Sequence, residues 1–378
     1  MGTTADKLNK LLETKQAIKQ AIIDKGVDVA DDTVFADYPS KIASIESGSG
    51  EGGGGGDPYY EQLFNLRTNY GDNFSYYFYY FPASELDVSK LDTSKATNMS
   101  SMFMNSYGLT SINGIENMNV SNVENMYSMF STCSSLSTLD LSSWNTNKLI
   151  NANCMFQNCG VSSLNVSGWD THNLTSIDSI FAYSGLQSLD LSSWDVSNVT
   201  NMYYMFSYCY NLTTVNFSGW DTSKVENMGD MFSGCSSLHP LDFSGWDTTN
   251  VTNMGNMFAY AQSPYLTSLD LSSFDTNNVT GMNGMFYYCG YLQELDIRNF
   301  TINDNNYIGS MLEGCNELHT LRLDNCDWNT VNRIINESNM PTDQAYINGE
   351  YITRRIYCKA EAAEGLSLPP GWRWEIVD

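Results

Sequence analysis

Six of the nine cysteines recur at one fixed place: Cys133, Cys159, Cys209, Cys235, Cys289 and Cys315. They form three neighbouring pairs, because Ser184 and Ala261 interrupt the series. Stacked about 4.8 Å apart, each pair lies within disulfide range. As small hydrophobes buried in a reducing compartment they would instead stay free. Both readings are open. Two acidic series share the spacing: Asp140, Asn165, Asp190, Asn216, Asp242, Asp270 and Asp296, and Asp170, Asp195, Asp221, Asp247 and Asp275. Stacked like charges repel, so Ca²⁺ on these Asp columns is one reading and solvated turn residues the other. Tyrosines supply the third candidate chemistry. Tyr127, Tyr203 and Tyr204 sit between two Met of their segment, and Tyr183, Tyr208, Tyr260, Tyr287 and Tyr288 just after a Phe. Equivalent places elsewhere hold Ser, Asn, Gly and Asp, so these rings are expected to face water. A band of exposed Tyr suits sugar stacking or protein docking, and the alternative is scattered amphipathic surface.

Enzyme signatures are missing. The three histidines (His172, His239, His319) join no Cys cluster of zinc spacing, and there is no CxxC, HExxH, GxSxG or Gly-rich phosphate loop. The expectation is no enzyme, no catalytic residue, no metal ligand set and no cofactor.

What positions these residues is a repeat. The stretch 189–209 reads LDLSSWDVSNVTNMYYMFSYC, and similar text recurs around Leu91, Met118, Trp144, Trp169, Trp194, Trp220, Trp246, Phe274 and Phe300. These anchors are spaced 27, 26, 25, 25, 26, 26, 28 and 26 residues apart. Twelve residues after each comes Phe103, Phe130, Phe156, Phe181, Phe206, Phe232, Phe258, Phe286 or Leu312. Fixed self-similarity of this length means a solenoid, in which no unit buries its apolar face alone. Counted from the anchor, apolar residues stand at −8, −5 and −3, and the L-x-L alternation reads as a short strand with one buried face. A polar Asx-type bend follows the Trp. Val at +5, Met at +8 and Met-Phe at +11 and +12 return to the interior, with a 3₁₀ turn expected at MFxxC. Asn98, Asn125, Asn151, Asn201, Asn227 and Asn253 share +7 and read as a hydrogen-bonding ladder. The fold class is a mainly β, leucine-rich-repeat-like solenoid of about nine coils of 25–28 residues, with a partial tenth ending at Cys326 and an N-terminal α-helical anchor.

The pattern LxxLDLSSWDTSxVTNMxxMFxxC resembles the BspA-like leucine-rich repeats of bacterial surface proteins and mycoplasma lipoproteins, over about 86–326. That resemblance implies a surface or adhesive interaction module and no catalysis. Residues 6–25, DKLNKLLETKQAIKQAIIDK, carry Leu8, Leu11, Lys15, Ile18 and Ile22 at a/d spacing, a short helix that needs a partner. With the apolar GVDVADDTVFADYPSKIASI after it, this segment is similar to one found in tailed-phage fibre and baseplate-associated proteins.

The organisation expected is a helical anchor and oligomerisation segment (1–46), a Gly-rich linker (47–57), an aromatic N-terminal cap (58–85), the solenoid (86–326) and a C-terminal cap (327–378). The chain has 378 residues and a net charge of −25, and 86–326 with its flanks (47–326) carries 7 basic against 27 acidic groups. Such acidity repels phosphate backbones, so no nucleic acid is expected. No run of about 18 apolar residues exists, which excludes a helical membrane span. The N-terminal text lacks a signal's hydrophobic stretch, so synthesis in a host cytoplasm is expected. The leading functional expectation is a phage virion protein, a fibre or tail-associated adhesin. It would be trimeric, joined to other virion proteins through 1–46, and would bind a host surface glycan or protein. The alternative is a BspA-like adhesin at a bacterial cell surface.

Overall fold

The computed structural model describes residues 71–377; the helical anchor, the linker and the first part of the aromatic cap lie outside the described residues. The chain is a repeat solenoid built mostly of short strands. Nine three-residue strands come first: β1 (Glu85–Asp87), β2 (Ser111–Asn113), β3 (Thr138–Asp140), β4 (Ser163–Asn165), β5 (Ser188–Asp190), β6 (Thr214–Asn216), β7 (Ser268–Asp270), β8 (Glu294–Asp296) and β9 (Thr320–Arg322). Each is centred on the first apolar residue of the L-x-L stretch of its repeat, whose side chain is buried except at Leu164 of β4, which is half-buried. Pairing is parallel and in register, as in Leu189↔Val215 and Leu269↔Leu295↔Leu321. Between β6 and β7 the repeat forms no strand. Pro240 stands there without an N–H to donate to a ladder.

Opposite the strands, a second edge carries more of the stacking. Single parallel bridges link Asn73, Asn98, Asn125 and Asn151, and then Ser176, Asn201, Asn227, Asn253, Gly281 and Tyr307. The +7 side chains cap their own turns: Asn201 Oδ1 accepts from Tyr203 N at 3.1 Å, and Asn253 Nδ2 donates to Asn227 Oδ1 at 2.9 Å. From +8 onward the amides alternate in duty. Those of Met202, Tyr204, Phe206 and Tyr208 donate to carbonyls of the next coil at 2.9, 3.1, 3.0 and 2.6 Å. Those of Met205, Ser207 and Cys209 close turns inside their own coil, three residues back. This requires a left-handed backbone at +10 and +14, where Tyr204 and Tyr208 both have φ 57. The 3₁₀ turn expected at MFxxC is therefore replaced by two successive turns with positive φ at their third residue, a value no 3₁₀ helix contains.

Stacking brings like side chains over like. Phe78, Phe103, Phe130, Phe156, Phe181, Phe206, Phe232, Phe258 and Phe286 form one column, with neighbouring centroids 5.2–6.1 Å apart and ring planes within 15°. Trp144, Trp169 and Trp194 form a second. All nine cysteines are free. Each buried thiol of the repeated series has its own acceptor: Cys209 Sγ donates to Phe181 O at 3.0 Å and Cys235 Sγ to Phe206 O at 3.2 Å. Burial pushes Cys209 up to about 11 and Cys315 up to about 12, so the thiolate that disulfide exchange needs is disfavoured.

The ladder passes the expected solenoid start at 86. Phe74 N donates to Asn98 O at 2.7 Å, and Phe78 heads the Phe column. Residues 73–81 thus supply the outer half of one more coil. At the other end, α1 (Trp328–Glu337) begins at an N-cap, where Asp327 accepts from Thr330 N, and buries Val331, Ile334 and Ile335. A hairpin of β10 (Ala345–Ile347) and β11 (Glu350–Ile352) follows. β12 (Arg354–Cys358) then pairs with β9 and with β13 (Trp372–Ile376), which completes the sheet β13-β12-β9-β8-β7 and covers the last repeat's edge. A four-residue helix, α2 (Ala360–Ala363), lies between these two strands. No helix among the described residues is long and apolar enough to cross a membrane.

Phe206 is fully buried between Phe181 and Phe232. Phe206→Ala is expected to cost about 3–5 kcal/mol in urea unfolding, and a loss under about 1 kcal/mol would mean that the column does not bear on stability.

Candidate binding surface

The Asp series are engaged first of all in local turn geometry. Asp140, Asp190, Asp242 and Asp270 each accept from the backbone N–H of a Ser two residues on, at 2.9–3.1 Å. Asp195 and Asp221 do the same towards Ser197 and Ser223. These are Asx turns. Asn216 Nδ2 donates across to Asp190 Oδ1 at 3.0 Å, so an Asn in the column replaces repulsion with a bond. Asp296 is paired with Arg298 and Arg322. Hydrogen bonds from the serines hold Asp140, Asp190, Asp195, Asp221, Asp242 and Asp270 below the usual carboxylate range. Among the described residues, no group of three or more His, Cys, Asp or Glu is placed to hold a metal ion.

The tyrosines stand on the turn edge, at +9, +10, +13 and +14, positions at which small residues such as Ser128, Ser207 and Ser233 are buried and larger ones reach the surface. The structure gathers most of them into clusters. Tyr183 and Tyr208 stack at 4.9 Å with planes 9° apart, Tyr210 meets Tyr208 at 5.9 Å, and Tyr203 and Tyr204 meet at 4.4 Å. Further along, Tyr260, Tyr287 and Tyr288 form a second cluster with centroids 4.6–5.8 Å apart. Tyr127 joins neither and stands beside Cys154. Tyr183, Tyr260 and Tyr288 are well exposed, whereas Tyr203, Tyr204, Tyr208 and Tyr287 are half-buried.

Two groups escaped the sequence reading. Tyr210 lies past the repeated positions, so periodicity gave it no signal. Tyr76, Tyr79, Tyr80 and Tyr107 form a third cluster. Tyr76 and Tyr80 fall at +10 and +14 of the extra half-coil, a phase visible once Phe78 is set twenty-five residues before Phe103.

These rings are held on strained backbone. At +14 the chain always needs positive φ, which Asn105, Asn158, Gly234 and Gly314 accommodate readily. Tyr183, Tyr208, Tyr260 and Tyr288 take it at φ 56–59, and Tyr204 does so at +10, each at a cost of about 1–2 kcal/mol. The glycines have a further role. A Cβ on Gly234 would lie 2.5 Å from the Tyr208 ring, and one on Gly314 2.9 Å from that of Tyr288. Each tyrosine therefore lies down over the glycine of the next coil, and each cluster ends on a bare turn.

Asp230 is the unusual carboxylate of this edge. It occupies the left-handed +10 position one coil beyond Tyr204, at φ 55. Burial pushes it up to about 6, while a hydrogen bond with Asn256 opposes the rise. Burial and the nearby Asp230 carboxylate push Tyr204 up to about 12.

Residues 72–190, 159–265 and 241–353 match the family model described as "Mycoplasma protein of unknown function, DUF285". Among solved structures, a match is found to the crystal structure of a TLR13–ssRNA13 complex, at 16% identity and a TM-score of 0.20. It covers 73% of this chain and 47% of that one. No curated protein matches.

Two measurements follow from the geometry. Tyr288→Asn relieves backbone strain but loses ring contacts worth about 0.5–1.5 kcal/mol. Its urea unfolding free energy is expected within about 1 kcal/mol of wild type, and a larger loss would make the ring a structural element. In a pH series of unfolding midpoints, the Asx-turn carboxyls have folded pKa values below their unfolded ones. The stability they give is present above the ordinary Asp pKa of about 4 and falls away below it. Asp230 has the opposite sign. Ionising it in the folded state is unfavourable, so Asp230→Asn is expected to raise Tm at pH 7 and to match wild type at pH 4. A Tm gain equal at both pH values would contradict the assignment.

Proposed function

This chain belongs to the DUF285 family of mycoplasma proteins of unknown function, and we propose that it is a non-enzymatic binding protein that uses its solenoid to hold a receptor-binding edge. In this reading the solenoid has nine coils of 25–28 residues, 1–46 is a helical trimerisation anchor, and 47–57 is a tether with a typical reach of about 20 Å. The protein is a phage virion component, a fibre or tail-associated adhesin. Its partners are other virion proteins at the anchor and a host surface glycan or protein at the solenoid.

The carrying observation is the turn edge: clustered Tyr rings kept at positions that cost backbone strain and have unstrained alternatives in neighbouring coils. Strain retained where Asn or Gly would relieve it is a mark of selection for something other than stability. A trimer would present three such edges, and simultaneous engagement multiplies weak contacts into useful avidity. The fibre reading is also supported by the likeness of 1–46 to phage fibre segments. A second reading, a bacterial cell-surface adhesin, rests on the resemblance of the repeat to BspA-like surface proteins.

Light scattering on the full chain and on a chain starting at Asp57 separates the two. The fibre reading expects a trimer that becomes a monomer on truncation; a monomer in both would contradict it and favour the adhesin.

A further inference from the structure

The turn edge is not uniform, and its most differentiated place lies where coils carrying large and absent side chains meet. Tyr203 and Tyr204 present two rings 4.4 Å apart and tilted 53° to each other. In the next two coils the position of Tyr203 is taken by Gly229 and Gly255. Neither place has room for a side chain, because amide groups of the +7 and +9 asparagines already cover it. A Cβ on Gly229 would meet Asn253 Nδ2 at 2.5 Å, and one on Gly255 would meet Asn283 Oδ1 at 3.1 Å. Asp230 and its partner Asn256 stand along the same step, one place further round each turn. The result is an aromatic wall beside a low floor of asparagine amides, with one carboxyl and a further amide along it.

Taking the binding role above as its premise, we infer that Tyr203, Tyr204, Asp230 and Asn256 form a subsite for one ring of a neutral oligosaccharide. A pyranose has an apolar C–H face and a rim of hydroxyls. The first packs on a ring face, and the second exchanges hydrogen bonds with planar carboxyl and amide groups, whose donors and acceptors lie in fixed directions. One coil step, 5.2–6.1 Å along the Phe column, is about one sugar ring wide. Tyr208, four residues further round the same coil, stacks on Tyr183 of the preceding coil, and this pair offers a second platform for a neighbouring residue of the same chain. Charge selects among sugars. With a net charge of −25 and a carboxyl at the rim, uronic and sialic acids are repelled. A protein partner fits less well, because it would need a wider desolvated apolar centre than two rings provide.

The test presents full-length protein to an array of neutral and acidic oligosaccharides, and then to bacterial cells. Tyr204→Asn and Asp230→Asn are the variants, since both place a residue suited to left-handed backbone and leave the fold intact by near-UV circular dichroism. Tyr351→Ser, on the exposed hairpin strand β11 beyond the solenoid, is the control. Expected are neutral oligosaccharides among the bound set, a loss of affinity of about tenfold or more in both variants, equivalent to about 1.4 kcal/mol, and no change in the control. Binding only to acidic sugars, binding to none, or equal binding by wild type and variants overturns the inference. Cells bound alike by wild type and Tyr204→Asn, or bound through a protease-sensitive receptor, would leave the adhesin role standing without this subsite. Variant-sensitive sugar binding without cell binding would keep the subsite and remove the adhesin role.

Discussion

Each coil must satisfy its backbone polar groups twice, once along the stack and once within itself, in fewer than ten residues on its outer edge. The alternation from +8 to +14 meets both demands: every second amide reaches the next coil, and those between close turns. Because that alternation reverses the chain twice, it imposes a left-handed residue at +10 and at +14 in every coil. The strands contribute shorter and interrupted pairing, as the missing strand at Pro240 shows, and the turn edge continues through that coil without a break. A buried main-chain group without a partner costs more than a missing side-chain contact, so coil length can drift from 25 to 28 residues elsewhere while the distance from anchor to Phe stays at twelve.

Once this edge is fixed, the interior follows. The +11 and +12 side chains must turn inward between two reversed turns, which sets Phe over Phe. The residue after the second turn brings its thiol under the carbonyl of the preceding coil's Phe. Cysteine suits that place as a small apolar group with one weak donor. Ser184 occupies the same position with a hydroxyl 3.4 Å from Cys209 Sγ. The outward positions, freed from packing, are where coils differ from one another, and there the tyrosine clusters stand.

Much of this was legible in the sequence. The strand at L-x-L, the Phe and Trp columns, the burial of the Met positions and the ladder of Asn at +7 all follow from a fixed period, because identical residues at identical phase must stack. What periodicity could not carry was conformation against type. Tyr204 and Tyr208 are residues that ordinarily avoid positive φ, so nothing in their types signalled the left-handed turns, and the demand of the inter-coil ladder overrides that preference. The half-coil at 73–81 was hidden because Tyr77 stands where other coils carry Met and aromatics crowd both sides. The tyrosines could be read as outward-facing; their grouping into separate clusters depends on Gly234 and Gly314, whose role appears only when the neighbouring ring is seen to lie over them.

In the binding role proposed above the tasks separate: the repeated backbone supplies rigidity, and the variable edge is where recognition would take place. The dependence of the whole on alternating amides is open to residue-resolved hydrogen exchange on the full chain. Slow exchange is expected at Met202, Tyr204, Phe206 and Tyr208 and at their equivalents from coil to coil, with protection continuing through the coil of Pro240. Rapid exchange at these amides, with protection confined to the short strands, would contradict the turn edge as the element on which the solenoid depends.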